Sequence, residues 1–348
     1  MMNKKLYIIL FVLIGFKLSA QDPHFSQYYF TPLEINPALS GVFEGKYGAG
    51  TSYRDQWSSL QGTNSFRTLR ASADIKWAMG RNDFLAFGIT LLGDEVGESN
   101  FRQTLGHMTV SYVMKLSEKK YGTGSQYLSG GIKVGAGMNT ADWSNLWFGR
   151  QYDVANESIN TGASNGESFD DLNTGTYPDV GVGLFWYAIT SKNSSIYAGL
   201  SMDHINKPLI SLTNSNTALY QKWSFNVGGE IGLNSETSLI PSLLYLRQGP
   251  SRQINMGTQV RFSKRSWGDV ALRLGLFGRY ANTFDGSHLD AIILTSTWEM
   301  GRFDLGLSYD VTTSNLQTFN SRKGAFEISL TYVNENFERK LKVTCPKF

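Results

Sequence analysis

Cysteine is nearly absent from this chain: Cys345 stands alone among 348 residues. A single thiol excludes an internal disulfide and any multi-cysteine metal site. The four histidines, His24, His107, His204 and His288, show no paired spacing and no HExxH run, which excludes the common zinc motifs. Beyond residue 20 no apolar run is long enough for a membrane helix. Net charge is missing as well. Residues 1–20 place Lys4 and Lys5 before the apolar stretch from Leu6 to Leu18, and Ser19-Ala20 offers small residues for cleavage before Gln21, so they read as a secretory signal peptide. Lys17 and the shortness of the stretch argue against a membrane anchor, and no cysteine follows Ala20 for lipoprotein processing. Cleavage takes three lysines from the 32 basic residues and leaves them equal to the 29 acidic ones. No basic stripe survives, so nucleic acid is not an expected partner.

What the chain does have is a beat of two. Trp223, Phe225, Val227, Ile231 and Leu233 alternate with Ser224, Asn226, Gly228, Glu230 and Gly232. Val270, Leu272, Leu274 and Leu276 alternate with Ala271, Arg273 and Gly275, and similar runs start at Phe303 and Phe326. Successive strand residues point to opposite faces, so each segment has one apolar face and one polar or glycine face. An exported chain of alternating strands without a membrane helix crosses a bilayer only as a closed barrel. The expected fold is all-β: a transmembrane, antiparallel, up-and-down β-barrel of about 14 strands. The strands centre near 47–57, 65–77, 84–92, 103–116, 126–138, 179–187, 195–202, 222–233, 239–247, 253–262, 268–280, 289–298, 302–310 and 325–333. Trp57, Trp77, Trp298 and Tyr332 close strands and suit interfacial girdles.

Connection lengths carry a second signal. Those after even strands are mostly short, as at 234–238, 263–267 and 299–301; those after odd strands are often longer, as at 93–102, 139–178, 203–221 and 311–324. Outer-membrane barrels pair short periplasmic turns with longer external loops, which puts both termini in the periplasm. The chain then divides into a signal peptide (1–20), an aromatic, proline-containing segment that caps or plugs the periplasmic mouth (21–44), the barrel (45–333) and a basic periplasmic tail (334–348). The polar stretch 156–177 reads as the largest external loop.

Enzymatic and metal chemistry find little support. Asp94, Glu95 and Glu98 cluster in one loop, and Glu167, Asp170 and Asp171 in another, without the spacing of a calcium loop. His107 and His288 have serines nearby but no GxSxG nucleophile signature. The glycines at 130, 131, 135, 137, 181 and 183 lie inside strands with no crossover helix after them, so crowded packing or strand bending explains them better than a nucleotide loop. No cofactor or metal is expected. Lys133, Glu230, Arg273, Arg279 and Asp304 hold inward phases of their strands; they either line a channel or pair and close it.

Several stretches resemble the PorP/SprF family of outer-membrane proteins linked to type IX secretion and gliding. They are Gln21-Asp22-Pro23-His24-Phe25-Ser26-Gln27-Tyr28, Asn36-Pro37-Ala38-Leu39 with Gly41, Tyr53-Arg54-Asp55-Gln56-Trp57, Pro241-Ser242-Leu243-Leu244-Tyr245, Gly306-Leu307-Ser308-Tyr309-Asp310 and the ending Cys345-Pro346-Lys347-Phe348. Asp55 stands where the family has an amide, and Arg322-Lys323-Gly324-Ala325-Phe326 departs from a usually smaller run.

The resemblance implies a non-enzymatic outer-membrane barrel. It would support secretion or surface anchoring of an adhesin-like cargo, bound through the cargo's C-terminal domain. It would also contact a periplasmic, peptidoglycan-associated secretion component. His24, Phe25, Gln27, Tyr28, Asn36, Pro37, Gly41, Tyr53, Arg54, Gln56 and Trp57 are then partner residues or simply seal the barrel base. The alternative from a different class is a porin-like barrel passing or taking up small solutes.

Overall fold

A computed structural model of the chain describes residues 22–58, 65–80, 83–97, 100–118, 124–141, 146–154, 156–164, 176–191, 193–210, 217–283, 286–314 and 323–334. The expected signal peptide, the tail beyond Asn334, and Glu98, Glu167, Asp170, Asp171 and Arg322 lie outside the described residues.

Fourteen antiparallel strands close into one barrel. They are β1 (Tyr47–Gln56), β2 (Phe66–Met79), β3 (Asp83–Val96), β4 (Phe101–Glu118), β5 (Ser125–Thr140), β8 (Thr176–Ser191), β9 (Ser194–Asp203), β10 (Lys222–Gly232), β11 (Thr237–Gln248), β12 (Ser251–Phe262), β13 (Val270–Thr283), β14 (Gly286–Met300), β15 (Phe303–Thr312) and β16 (Lys323–Val333). A separate ribbon of β6 (Tyr152–Asp153) and β7 (Ser158–Ile159) sits in the connection between β5 and β8. Each barrel strand pairs with its sequence neighbours, and β1 closes on β16 with Gly48 opposite Val333 and Gln56 opposite Ala325. Closure removes every sheet edge, the condition for strands to cross a bilayer.

The alternation sorts the two faces. Leu274 is 48 % exposed on the outside, while its neighbour Arg273 is 6 % exposed on the inside. Leu69, Leu91, Met108, Ile132, Leu184, Leu276 and Leu294 are exposed in the same outward phase on other strands. A contiguous apolar belt of this kind is a membrane-facing surface, not a water-facing one. Trp77, Tyr47, Phe303 and Trp298 stand exposed at the end of the belt where the first and last strands begin and end. Trp57 differs from the girdle expectation: it sits just past β1 with φ of 61° and packs edge-on against Phe66 at 5.0 Å.

The two mouths are unequal. The strand ends Met79 and Asp83, Ser191 and Ser194, Gly232 and Thr237, and Met300 and Phe303 lie at one mouth, the short-turn mouth, with Tyr47 and Val333. The ends Thr140 and Thr176, and Asp203 and Lys222, which bound the longest inter-strand stretches of sequence, lie at the other, the long-loop mouth. Some expected loops are strand instead. Residues 93–96 and 101–102 continue β3 and β4, and β11 turns into β12 over two residues, with Gly249 at φ of 57°. Polar residues such as Asp94 and Glu95 signal a loop only where a strand stops at the membrane surface. These strands run on into water.

Candidate functional site: the lumen and its N-terminal occupant

Residues 22–44 pass through the barrel rather than covering one mouth. The segment is built from short turns, Tyr28–Phe30, Pro32–Ile35 and Pro37–Leu39, which keep it compact without a strand partner. Thr31 and Asn36 precede Pro32 and Pro37, and the Asn36 side chain caps the third turn by accepting from Ala38 N at 2.9 Å. Its apolar residues meet the wall at three depths. Phe25 packs with Leu92, Leu105, Tyr177 and Leu219 at the long-loop mouth. Tyr28 and Ile35 pack with Leu244, Phe277 and Ile293 at mid-depth. Ala38, Leu39 and Val42 pack with Phe84, Val113 and Tyr187 toward the short-turn mouth.

The segment's start is fixed by charge. The Asp22 carboxylate accepts from Lys222 Nζ at 2.7 Å, His204 Nε2 at 2.8 Å and Gln248 Nε2 at 3.1 Å, and its own N–H donates to Gln248 Oε1 at 2.9 Å. The other ring nitrogen of His204 faces Asp179 Oδ1 at 2.8 Å, and His107 Nε2 faces the second Asp179 oxygen at 2.8 Å. Both nitrogens of His204 therefore address carboxylates, and the doubly protonated ring satisfies both. Burial works against that charge, but Asp22 and Asp179 outweigh it and hold the His204 pKa up at about 9. Burial likewise opposes the Asp22 charge, yet Lys222 and His204 keep its carboxyl well below the usual range.

A second latch holds Ser26 and Gln27. Glu327, fully buried on β16, accepts from Ser26 N at 2.6 Å and Gln27 N at 2.9 Å and pairs with Arg54. Arg54 also reaches Asp310 at 3.1 Å and Ser26 Oγ at 2.7 Å. Arg279 reaches Asp310 at 2.8 Å, Asp290 at 2.9 Å and Ser26 Oγ at 3.0 Å. Both side chains hold the inward phase of their strands, and the register shifts only just beyond them, at Arg279/Tyr280 and Asp310/Val311. At the short-turn end Gly41, with φ of 76°, donates to Asp74 Oδ2 at 2.9 Å, and Lys76 caps the carbonyls of Gly41 and Phe43.

Three of the strand glycines are explained by this occupant. A Cβ on Gly131 would strike the Pro37–Ala38 main chain, one on Gly183 the Asn36 amide, and one on Gly306 the Phe30 ring and the Gln27 amide. Asn36 uses the room to donate to the carbonyls of Leu184 at 2.9 Å and Leu200 at 3.3 Å. Sequence reasoning singled out residues at both ends of this arrangement. His24 and Phe25 lie at the long-loop mouth, Gln27, Tyr28, Asn36 and Pro37 within the lumen, and Gly41 toward the short-turn mouth. Arg54 and Gln56 line the wall near the long-loop mouth with Trp57 beyond them, and Tyr53 points outward, so the motif is not gathered at one base.

The inward charges pair. Lys133 binds Asp203 at 3.0 Å, Glu230 accepts from Ser238 at 2.5 Å, and Arg273 meets Glu299 at 3.0 Å and Asp304 at 3.7 Å. A cavity of about 470 Å³ remains at the short-turn mouth, between Tyr29, Phe30 and Phe43 of the segment and Arg261, Arg273 and Glu299 of the wall. Asp22, Asp179, His204, Asp310 and Glu327 were not candidate site residues. A charge in the inward phase of a membrane strand is the signal that marks Asp179, Asp310 and Glu327.

The fold and this interior define the class: an outer-membrane β-barrel whose lumen is occupied by its own N-terminal segment. The family model for the type IX secretion system membrane protein PorP/SprF matches residues 17–332, and the chain belongs to that family. Comparison with curated proteins gave no match. Among solved structures, the chain is similar to a deltaS2 mutant of the monoaromatic hydrocarbon channel TodX, at 10 % identity over 89 % of this chain and 94 % of that one, TM-score 0.49. It is similar to the toluene transporter TbuX of Ralstonia pickettii at 12 % identity over 87 % and 92 %, TM-score 0.47. It is similar to CdiB from Acinetobacter baumannii at 7 % identity over 82 % of this chain, TM-score 0.45, and spans 60 % of that chain.

Proposed function

We propose that this barrel is a non-enzymatic adaptor that supports secretion or cell-surface anchoring of a large type IX cargo. It would do so by holding the cargo, or the secretion machinery, at its mouths rather than by conducting solutes. The observation that carries the reading is the filled lumen: Asp22, Ser26 and Gln27 are fixed to wall residues by buried charge-assisted hydrogen bonds. A barrel closed in this way has its mouths and loops free for protein partners.

In this reading residues 1–20 are a cleaved signal peptide, and the short-turn mouth, with the tail beyond Asn334, faces the periplasm and its peptidoglycan-associated component. The long-loop mouth meets the cargo's C-terminal domain. Deleting the gene and probing the cell surface and the medium for adhesin-like proteins tests the proposal, with loss of secretion or retention expected. Unchanged secretion and retention would overturn it. Steady open pores from the intact protein in planar bilayers would favour the solute-conducting alternative instead.

A further inference from the structure

Many of the wall contacts to the N-terminal segment are directed at its backbone. Ser201 Oγ donates to the Ile35 carbonyl at 2.5 Å, Ser129 Oγ to Ala38 at 2.6 Å, Ser111 Oγ to Ser40 at 2.7 Å and Arg70 to Phe30 at 3.1 Å. Glu327 accepts two successive backbone N–H groups. Gly131 clears the space in which the Pro37–Ala38 main chain lies, and Gly183 that of the Asn36 side chain. A surface that reads carbonyls and N–H groups and has a glycine where the chain passes recognises a polypeptide backbone, with Asp22, Ser26 and Asn36 setting the register through their side chains.

The fit is also incomplete. Both amide atoms of Gln27 are buried with no protein hydrogen-bond partner, as are Thr90 Oγ1, Thr109 Oγ1, Asn255 Nδ2 and Gln259 Oε1. Each such group weakens closure, because water satisfies it whenever the lumen is wetted. No described residue is a cysteine, so nothing covalent staples the segment to the wall.

We infer that the inner wall is a polypeptide-binding track, that residues 22–44 are its resident and exchangeable ligand, and that a second polypeptide segment of turn-rich, proline- and small-residue-containing character takes the same track when this one withdraws. The route is fixed by topology. The segment is tied to β1 at the short-turn mouth, where Lys46 N donates to the Asn334 carbonyl at 3.2 Å and Lys46 O accepts from Lys76 N at 2.9 Å. Its other end, Asp22, is held at the long-loop mouth only by ion pairs and hydrogen bonds to Lys222, His204 and Gln248, and with residues 1–20 cleaved as proposed above it can leave the wall. Complete clearance of the lumen therefore proceeds toward the short-turn mouth, with Asp22 drawn through last. This property belongs to the barrel whichever partner it serves, and it does not rest on the secretion reading.

The test begins with the full chain, folded in detergent, carrying a specific protease site inserted between Glu44 and Gly45. Cleavage after folding converts the segment into a bound peptide. The expected result is a barrel that keeps its heat-dependent gel shift and exchanges the cut peptide for a fluorescent copy of residues 21–44. It should conduct in planar bilayers once the peptide is diluted away, and close again when the copy, but not a scrambled one, is added. In Glu327→Gln, exchange should run about tenfold faster, as loss of a charge-assisted hydrogen bond implies. Two results overturn the inference. If the cut barrel loses its gel shift, the segment is part of the folded core. If the cut barrel stays folded but never exchanges its peptide, the segment is a permanent filling.

Discussion

Replacing Glu327 by alanine isolates the latch around Ser26. The carboxylate is fully buried and serves four groups at once: the N–H of Ser26, the N–H of Gln27, the guanidinium of Arg54 and, at 3.4 Å, the Ser308 hydroxyl. Removing one partner of a buried ion pair costs about 3–5 kcal/mol, and each backbone N–H left without an acceptor adds about 1–3 kcal/mol. The terms do not simply add, because Asp310 sits within reach of both Arg54 and Arg279 and takes up part of the freed charge. The expected loss is therefore about 3–5 kcal/mol for Glu327→Ala, and smaller for Glu327→Gln, which keeps one acceptor oxygen. Urea unfolding followed by tryptophan fluorescence in vesicles measures it, with limited proteolysis at residues 22–44 as a local readout. The partner variant Arg54→Ala completes a cycle: the double variant should be milder than the sum of the singles by about 1–3 kcal/mol. Additive singles, or a Glu327→Ala midpoint equal to that of the parent chain, would refute the latch.

Leu274→Arg places a charge in the belt and should destabilise by about 2–4 kcal/mol near the midplane. Arg273→Gln should cost less, since Glu299 keeps Arg261 at 2.7 Å, and equal tolerance at the two positions in urea titrations would reverse the assignment of faces. The pH dependence follows from His204, whose folded pKa of about 9 exceeds the ordinary 6.5. Its contribution, at most about 3 kcal/mol, is fully present below about pH 6.5 and fades as pH rises through about 9. Proteolysis of residues 22–44 should thus quicken between pH 7.5 and 10, and His204→Gln should flatten the profile; Asp22, Asp179, Lys222, Asp203, Lys133 and His107 surround the ring and set the background. Gly183→Val intrudes on Asn36 and should cost about 1–3 kcal/mol in the same urea assay, an overpacking effect.

The barrel was legible because lipid enforces a two-residue period along every strand. That period fixes the face of Arg273 and Leu274 without any tertiary knowledge, and it sets all the strand centres. Strand ends were less legible. Gly93, Asp94 and Glu95 look like a loop, yet β3 continues through them to pair with β4, because hydrogen bonding goes on past the membrane surface. For residues 22–44 a cap or a plug was legible, but the path through the lumen was not. No period governs it, and its contacts join positions as far apart as Ser26 and Glu327. The inward charges were visible by phase, but their partners were not. Arg279 and Asp310 lie at the same depth on β13 and β15, but the alternation alone does not say which inward side chains meet across the intervening β14.

Strand number explains why an occupant is needed at all. A barrel of about eight strands is filled by its own side chains, whereas 16–18 strands leave an aqueous channel. Fourteen strands fall near the wide end, and the inward face here is largely serine, threonine, asparagine, glutamine and paired charge. Such a wall cannot close on itself by hydrophobic packing. The N-terminal segment supplies what it lacks: Phe25, Tyr28, Phe30, Leu33, Ile35 and Leu39, all buried. The scarcity of cysteine then acquires a structural meaning. Among the described residues the filling is held by ion pairs, hydrogen bonds and packing, with no covalent bond to the wall. Its affinity is consequently set by a few side chains, Glu327, Arg54, His204 and Asp22 foremost, and single substitutions at those positions should grade the barrel between closed and open.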